Sequence, residues 1–97
     1  NSYFFARDFK FVNSVEKNLE VITVLNHNVI NFKNIIVYTC SFNLVKFLLR
    51  QDCVFIDPPW GGWIYKKKKK IDLYLDNINI IDLIDSLYNY TKIVALK

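Results

Sequence analysis

The chain is 97 residues long, with a net charge of +4 and two cysteines, which leaves room for at most one small domain. A composition of 53% hydrophobic and 23% charged residues is that of a folding chain and excludes a disordered one. No window approaches the roughly 18–20 apolar residues that span a bilayer, and no apolar segment with a small-residue cleavage site marks a signal peptide. No membrane partner is therefore expected. Cys40 and Cys53 have neither disulfide-framework nor metal-ligand spacing, so they are expected to be buried thiols in a reducing compartment, with no metal site. Five lysines form one run at 66–70, and the remainder of the chain is close to neutral. Such a run either attracts phosphates or is a solvated loop. The chain has no methionine, opens on Asn1 and closes on Ile93-Val94-Ala95-Leu96-Lys97, which reads as a strand cut short. Both ends are expected to cut through a domain.

In chain order, residues 9–16 alternate roughly between apolar and polar and predict a strand ending at Glu16. Asn18 is placed to cap a helix whose apolar positions Leu19, Ile22, Leu25 and Val29 recur at helical spacing. Asn31, Lys33 and Asn34 make a polar connection to a second strand at 35–38. Residues 42–49 predict a short helix with Leu44, Val45, Leu48 and Leu49 apolar. Cys53-Val54-Phe55-Ile56 is the continuous apolar run of a strand buried on both faces, and Pro58-Pro59 stops any sheet pairing beyond Asp57. Residues 60–70 form a loop that holds both glycines, Gly61 and Gly62. A further helix is marked by Ile78, Ile81, Ile84 and Leu87, capped by Asn77 or Asn79, and a strand at 92–97 closes the chain. This order implies an α/β domain with a largely parallel sheet.

In open α/β sheets ligands bind beyond the carboxyl ends of the strands. Glu16, the Cys40-Ser41-Phe42 turn and Asp57-Pro58-Pro59-Trp60 all fall there. An acid at the end of such a strand accepts hydrogen bonds from ribose hydroxyls, or else it caps the following helix. The Asp57-Pro58-Pro59-Trp60 turn suits methylation of a purine amine. The lone pair of that amine is delocalised into the ring, so a catalyst must hold both N–H groups with acceptors. The Asp57 carboxylate and the Pro58 carbonyl supply such acceptors, and the prolines pre-aim them. Trp60 offers a stacking face, and Trp is the best cation–π partner for a positively charged base such as 7-methylguanine. The plainer alternative is a rigid turn with a packing Trp. Trp63 is either a second stacker or a loop anchor.

Val54-Phe55-Ile56-Asp57-Pro58-Pro59-Trp60-Gly61-Gly62 resembles the signature of the trimethylguanosine-synthase family, in which a strand runs into a (Ser/Asp)-Pro-Pro-Trp-Gly-Gly turn. Val12-Asn13-Ser14-Val15-Glu16-Lys17-Asn18 is similar to the family's second strand with its ribose-binding acid. Leu25-Asn26-His27-Asn28-Val29 is similar to the end of the next helix, so His27 is an ordinary helix residue. Ser41-Phe42 stands where the family often has Asp-Phe beside the adenine. Asn1 matches the end of the family's Gly-rich cofactor loop, and Ser2 to Arg7 the start of the helix after it.

The resemblance implies S-adenosylmethionine-dependent methyl transfer to guanine N2 of a 7-methylguanosine RNA cap. The implied fold is a partial Rossmann-like class I methyltransferase, mostly parallel, with helices on both faces. Asp57 and Pro58 would be catalytic. Pro59, Trp60, Lys66, Lys67 and Lys68 would bind substrate, and Asn1, Glu16, Ser41, Phe42 and Asp57 the cofactor. It implies a place inside the cell, in the nucleus or the cytoplasm. Residues 1–97 are then expected to be a single incomplete domain lacking the first, central strand and the Gly-rich loop, poorly folded and inactive by itself. Two alternatives remain. One is an amino-group methyltransferase acting on ribosomal RNA, transfer RNA or DNA. The other is a non-catalytic, RNA-binding remnant, which Ser41 favours and the intact Asp-Pro-Pro-Trp-Gly-Gly run disfavours.

Overall fold

The computed structural model describes all residues except Lys68, and also leaves out the side chain of Tyr65. The chain divides into two compact units, Asn1–Val45 and Lys46–Lys97.

The first unit opens with α1 (Ser2–Asp8), followed by β1 (Val12–Glu16), α2 (Leu19–Val29), β2 (Ile35–Thr39) and the single turn α3 (Phe42–Val45). β1 and β2 pair in parallel, Val12 opposite Ile35 and Glu16 opposite Thr39. A parallel pair needs a crossover connection, and α2 supplies it. The side chain of Asn18 caps α2 as the sequence predicts, accepting from the N–H groups of Glu20 and Val21. Ile22 and Val29 are buried and Leu25 is half-buried, whereas Leu19 in the first turn is 71% exposed. Asn34, expected only as polar linker, is a clamp. Its Nδ2 donates to the carbonyls of Ala6 at 2.8 Å and Phe9 at 2.9 Å, which ties the end of α1 to the start of β2. Ser2 Oγ and Ser14 Oγ, 2.9 Å apart, tie the start of α1 to β1.

The second unit contains β3 (Cys53–Ile56), a 3-10 helix (Gly62–Lys67), the two-residue strands β4 (Tyr74–Leu75) and β5 (Ile78–Asn79), α4 (Ile80–Leu87) and β6 (Ile93–Leu96). β3 pairs with β6 in parallel, Cys53 opposite Ile93 and Ile56 opposite Leu96. Its core is Ile56 with Ile80, Leu83 and Leu87, the last two essentially inaccessible.

Several expectations need correction. Among the described residues the strands form three two-stranded sheets, not one continuous sheet, although both long pairs are parallel as predicted. β3 is not buried on both faces, since Phe55 is 37% exposed. The 42–49 helix stops at Val45, because Leu44 and Leu48 find no packing surface and are 70% and 78% exposed. One turn without an apolar contact does not propagate. The buried stripe of α4 is Ile80, Leu83 and Leu87, while Ile81 is 69% exposed. Ile78 belongs instead to a hairpin that the sequence reading treats as helix. The hairpin turns through Asp76 and Asn77, at φ 50° and 66°, the signature of a type I′ turn. Asn79 is the residue that caps α4, accepting from the N–H of Ile81. Cys40 and Cys53 are free thiols but only half-buried.

Candidate functional site

In the first unit the predicted cofactor residues Glu16, Ser41 and Phe42 lie at or just beyond the carboxyl ends of β1 and β2. Glu16 closes β1, and its Oε1 accepts the backbone N–H groups of Lys17 at 2.9 Å and Asn18 at 2.8 Å. One carboxylate oxygen thus fixes the turn into α2, as the capping alternative requires. Among the described residues Oε2 carries no hydrogen bond, so the same carboxylate retains an acceptor for a ligand. Opposite Glu16, β2 ends at Thr39 and leads through Cys40 to Ser41. The Oγ of Ser41 accepts the backbone N–H of Asn43 at 3.3 Å and starts α3. Phe42, half-buried, is the first residue of that turn. Asn1 stands at the head of α1 as its N-cap position, without a side-chain capping bond. Two buried acceptors were missed. The Oδ1 of Asn43 is a buried acceptor without a donor among the described residues, as is that of Asn13. An orphaned buried acceptor costs about 1–3 kcal/mol, and the sequence gives no sign of where burial falls.

In the second unit the Asp57-Pro58-Pro59-Trp60 turn leaves the carboxyl end of β3, as predicted. Pro58 is buried, Pro59 and Asp57 are exposed, and Trp60 is half-buried. The Oδ2 of Asp57 lies 3.4 Å from the Lys97 ammonium. An ion pair this exposed is worth little to stability. The Trp60 indole N–H donates to the backbone carbonyl of Lys97 at 2.9 Å. Lys97 continues the β6 ladder, its N–H donating to the Ile56 carbonyl at 3.0 Å. The indole edge is therefore pinned to the sheet end from which the turn departs.

Trp60 borders an open pocket of about 390 Å³, shared with Pro59, Gly61, Ile64, Lys70, Ile71, Asp72 and Leu73. Gly61 and Gly62 have φ of 79° and 67°, which bulkier residues adopt only with strain, and they swing the chain from the Trp60 turn into the 3-10 helix. The lysine run divides. Lys70 lines the Trp60 pocket. Lys66 and Lys67 end the 3-10 helix and are not among the pocket's lining residues. The ammonium of Lys67 sits 4.4 Å from the centre of the Trp63 ring. Lys68 lies outside the described residues. Trp63, 67% exposed, is not a loop anchor. The pocket wall from Ile71 to Leu73 was not read from the sequence, where it looks like ordinary linker.

The model of the RNA cap guanine-N2 methyltransferase family matches residues 1–96, both units included. The chain belongs to this family. An uncharacterized protein of Acanthamoeba polyphaga mimivirus is 36% identical over 100 residues, an alignment that covers 96% of this chain and 39% of the viral protein. The chain thus spans about two fifths of the length of the curated relative it matches. No solved structure gives a significant match. The parallel α/β pairs are compatible with part of a methyltransferase fold. Among the described residues no group of three or more His, Cys, Asp or Glu is placed to hold a metal ion.

Proposed function

We propose that the protein carrying this chain transfers a methyl group from S-adenosylmethionine to guanine N2 of a 7-methylguanosine RNA cap. The observation that carries the reading is the pinned indole. Trp60, held through its N–H at the end of a parallel strand, borders a pocket that Pro59 also lines, immediately after Asp57 and Pro58 in the chain. A cationic base entering that pocket gains a stacking and cation–π partner whose orientation is already set.

When bound, S-adenosylmethionine supplies an electrophilic methyl group on a sulfonium centre. The chain's donor set fits it. The unengaged Oε2 of Glu16 is an acceptor for ribose hydroxyls, and Ser41 and Phe42, just beyond the end of the neighbouring strand, offer a hydroxyl and an aromatic face to the adenine. Asn1, at the head of α1, would approach the amino-acid part. On the acceptor side, the Asp57 carboxylate and the Pro58 carbonyl take the two N–H groups of the amine, so its lone pair leaves conjugation. The nitrogen would take the methyl carbon as that carbon's bond to the sulfonium sulfur breaks, leaving a neutral thioether, and would lose a proton to Asp57 or to water. Among the described lysines of the run, Lys70 is the best placed for the cap phosphates, because it shares the pocket with Trp60.

Fluorescence titration of the full protein with 7-methyl-GTP and with GTP tests the pocket. The 7-methyl form should bind at least about tenfold more tightly, the gain expected of a partly desolvated cation–π contact. Equal affinities would remove the cap from this reading.

A further inference from the structure

The segment after the pocket presents a second indole, which the cap reading does not use. Trp63 is 67% exposed, and among the described residues its ring has one recorded partner, the Lys67 ammonium at 4.4 Å. Lys66, Lys67, Lys69 and Lys70 are all exposed, and among the described residues none lies within ion-pair distance of a carboxylate. The backbone at Gly61 and Gly62, where a Cβ would meet nothing within 4 Å, leads directly into Trp63. The same segment borders the Trp60 pocket through Ile64 and Lys70. An exposed aromatic face among uncompensated cations therefore begins where the pocket ends.

We propose that this segment is a binding site for single-stranded RNA, in which Trp63 stacks on a nucleobase and Lys66, Lys67 and Lys69 contact backbone phosphates. Its placement just beyond the cap, on the first nucleotides of the RNA, rests on the cap reading; the stacking and phosphate contacts do not. Every base offers a π-face, so the site takes any sequence, whereas a duplex hides those faces. A cation over an exposed ring is weakly held, so Lys67 can move to a phosphate and uncover the face for a base. A lipid surface suits the segment less well. Trp63 and Ile64 on one 3-10 turn give little apolar area to insert, while the cations match a phosphodiester chain.

The test measures the affinity of the full protein for an uncapped RNA of about ten nucleotides, for the same RNA with a 7-methylguanosine cap, and for 7-methyl-GTP, over a range of salt. Trp63→Ala should weaken both RNAs roughly tenfold and leave 7-methyl-GTP unchanged, and Trp63→Phe should restore most of the loss. Replacing Lys66, Lys67 and Lys69 together by Gln should reduce the salt slope of RNA binding by about 2, near 0.7 per contact. Unchanged RNA affinity in Trp63→Ala would overturn the proposal, and so would a parallel loss of RNA and 7-methyl-GTP. Trp63-dependent binding to phosphatidylserine vesicles without RNA binding would also overturn it. If uncapped RNA binds through Trp63 while 7-methyl-GTP does not bind at all, the cap reading fails and the RNA site stands.

Discussion

Replacing Trp60 by Phe separates the two things the indole does. Phenylalanine keeps an aromatic face but cannot donate to the Lys97 carbonyl, a bond of 2.9 Å to an exposed residue. A neutral hydrogen bond contributes about 0.5–1.5 kcal/mol net, and a carbonyl at an exposed residue is readily rehydrated, so about 1 kcal/mol is the upper end here. That bond exists before substrate arrives, so its loss appears in binding only as the cost of ordering a looser ring. An affinity for 7-methyl-GTP reduced by up to about fivefold follows. Trp60→Ala also removes the ring, and with it about 0.5–2 kcal/mol of cation–π attraction, for a combined loss of about twofold to 150-fold. Calorimetric titration of the full protein reads both numbers, with thermal unfolding as a check that each variant folds. A graded loss, Ala well beyond Phe, supports a pinned stacking ring. Wild-type affinity in both variants would refute it, and equal large losses would mean that the hydrogen bond, not the face, is what matters.

Glu16→Gln keeps an oxygen for the Lys17 and Asn18 N–H groups but puts a donor in place of Oε2. Stability should stay within about 0.5 kcal/mol, while S-adenosylmethionine affinity falls about tenfold to a hundredfold, the worth of a charged acceptor. An equilibrium binding assay checks this. Leu83→Ala, at a position with no exposed surface, should destabilise the second unit by about 2–5 kcal/mol in denaturant unfolding of the full protein. Asn77→Val places a β-branched side chain at φ 66° and should cost about 1–2 kcal/mol, whereas Asn77→Gly should be neutral or better. A stable Val variant would show that the type I′ turn is not formed.

The strand ending at Asp57 was legible because an apolar run and two prolines leave the backbone one exit. The α2 cap was legible because a single Asn precedes an apolar stripe. Less readable was the segment from residue 73 to 87, where isoleucines fit two overlapping helical stripes. The Asp76-Asn77 turn, which has no glycine, was there the one local sign that Ile78 turns back as a strand. Parallel pairing followed from the element order, but which strands pair could not be read from any one segment. At the site, Trp60 and Glu16 carry chemistry that residue type alone suggests. Lys67 is set beside Trp63 by the 3-10 helix that it ends, and Lys70 lines the pocket from beyond that helix, whereas five identical side chains in a row carry no such information.

The most direct measurement of the central claim is methyl transfer itself. Full protein is incubated with S-adenosylmethionine labelled in its methyl group and offered 7-methyl-GTP, GTP and capped RNA, and the methylated atom is identified in the product. Label on guanine N2 of 7-methyl-GTP and of the cap, with none on GTP, is the predicted result. Label on unmethylated GTP, on another nucleobase of ribosomal RNA, transfer RNA or DNA in place of the cap, or on no acceptor at all would contradict it.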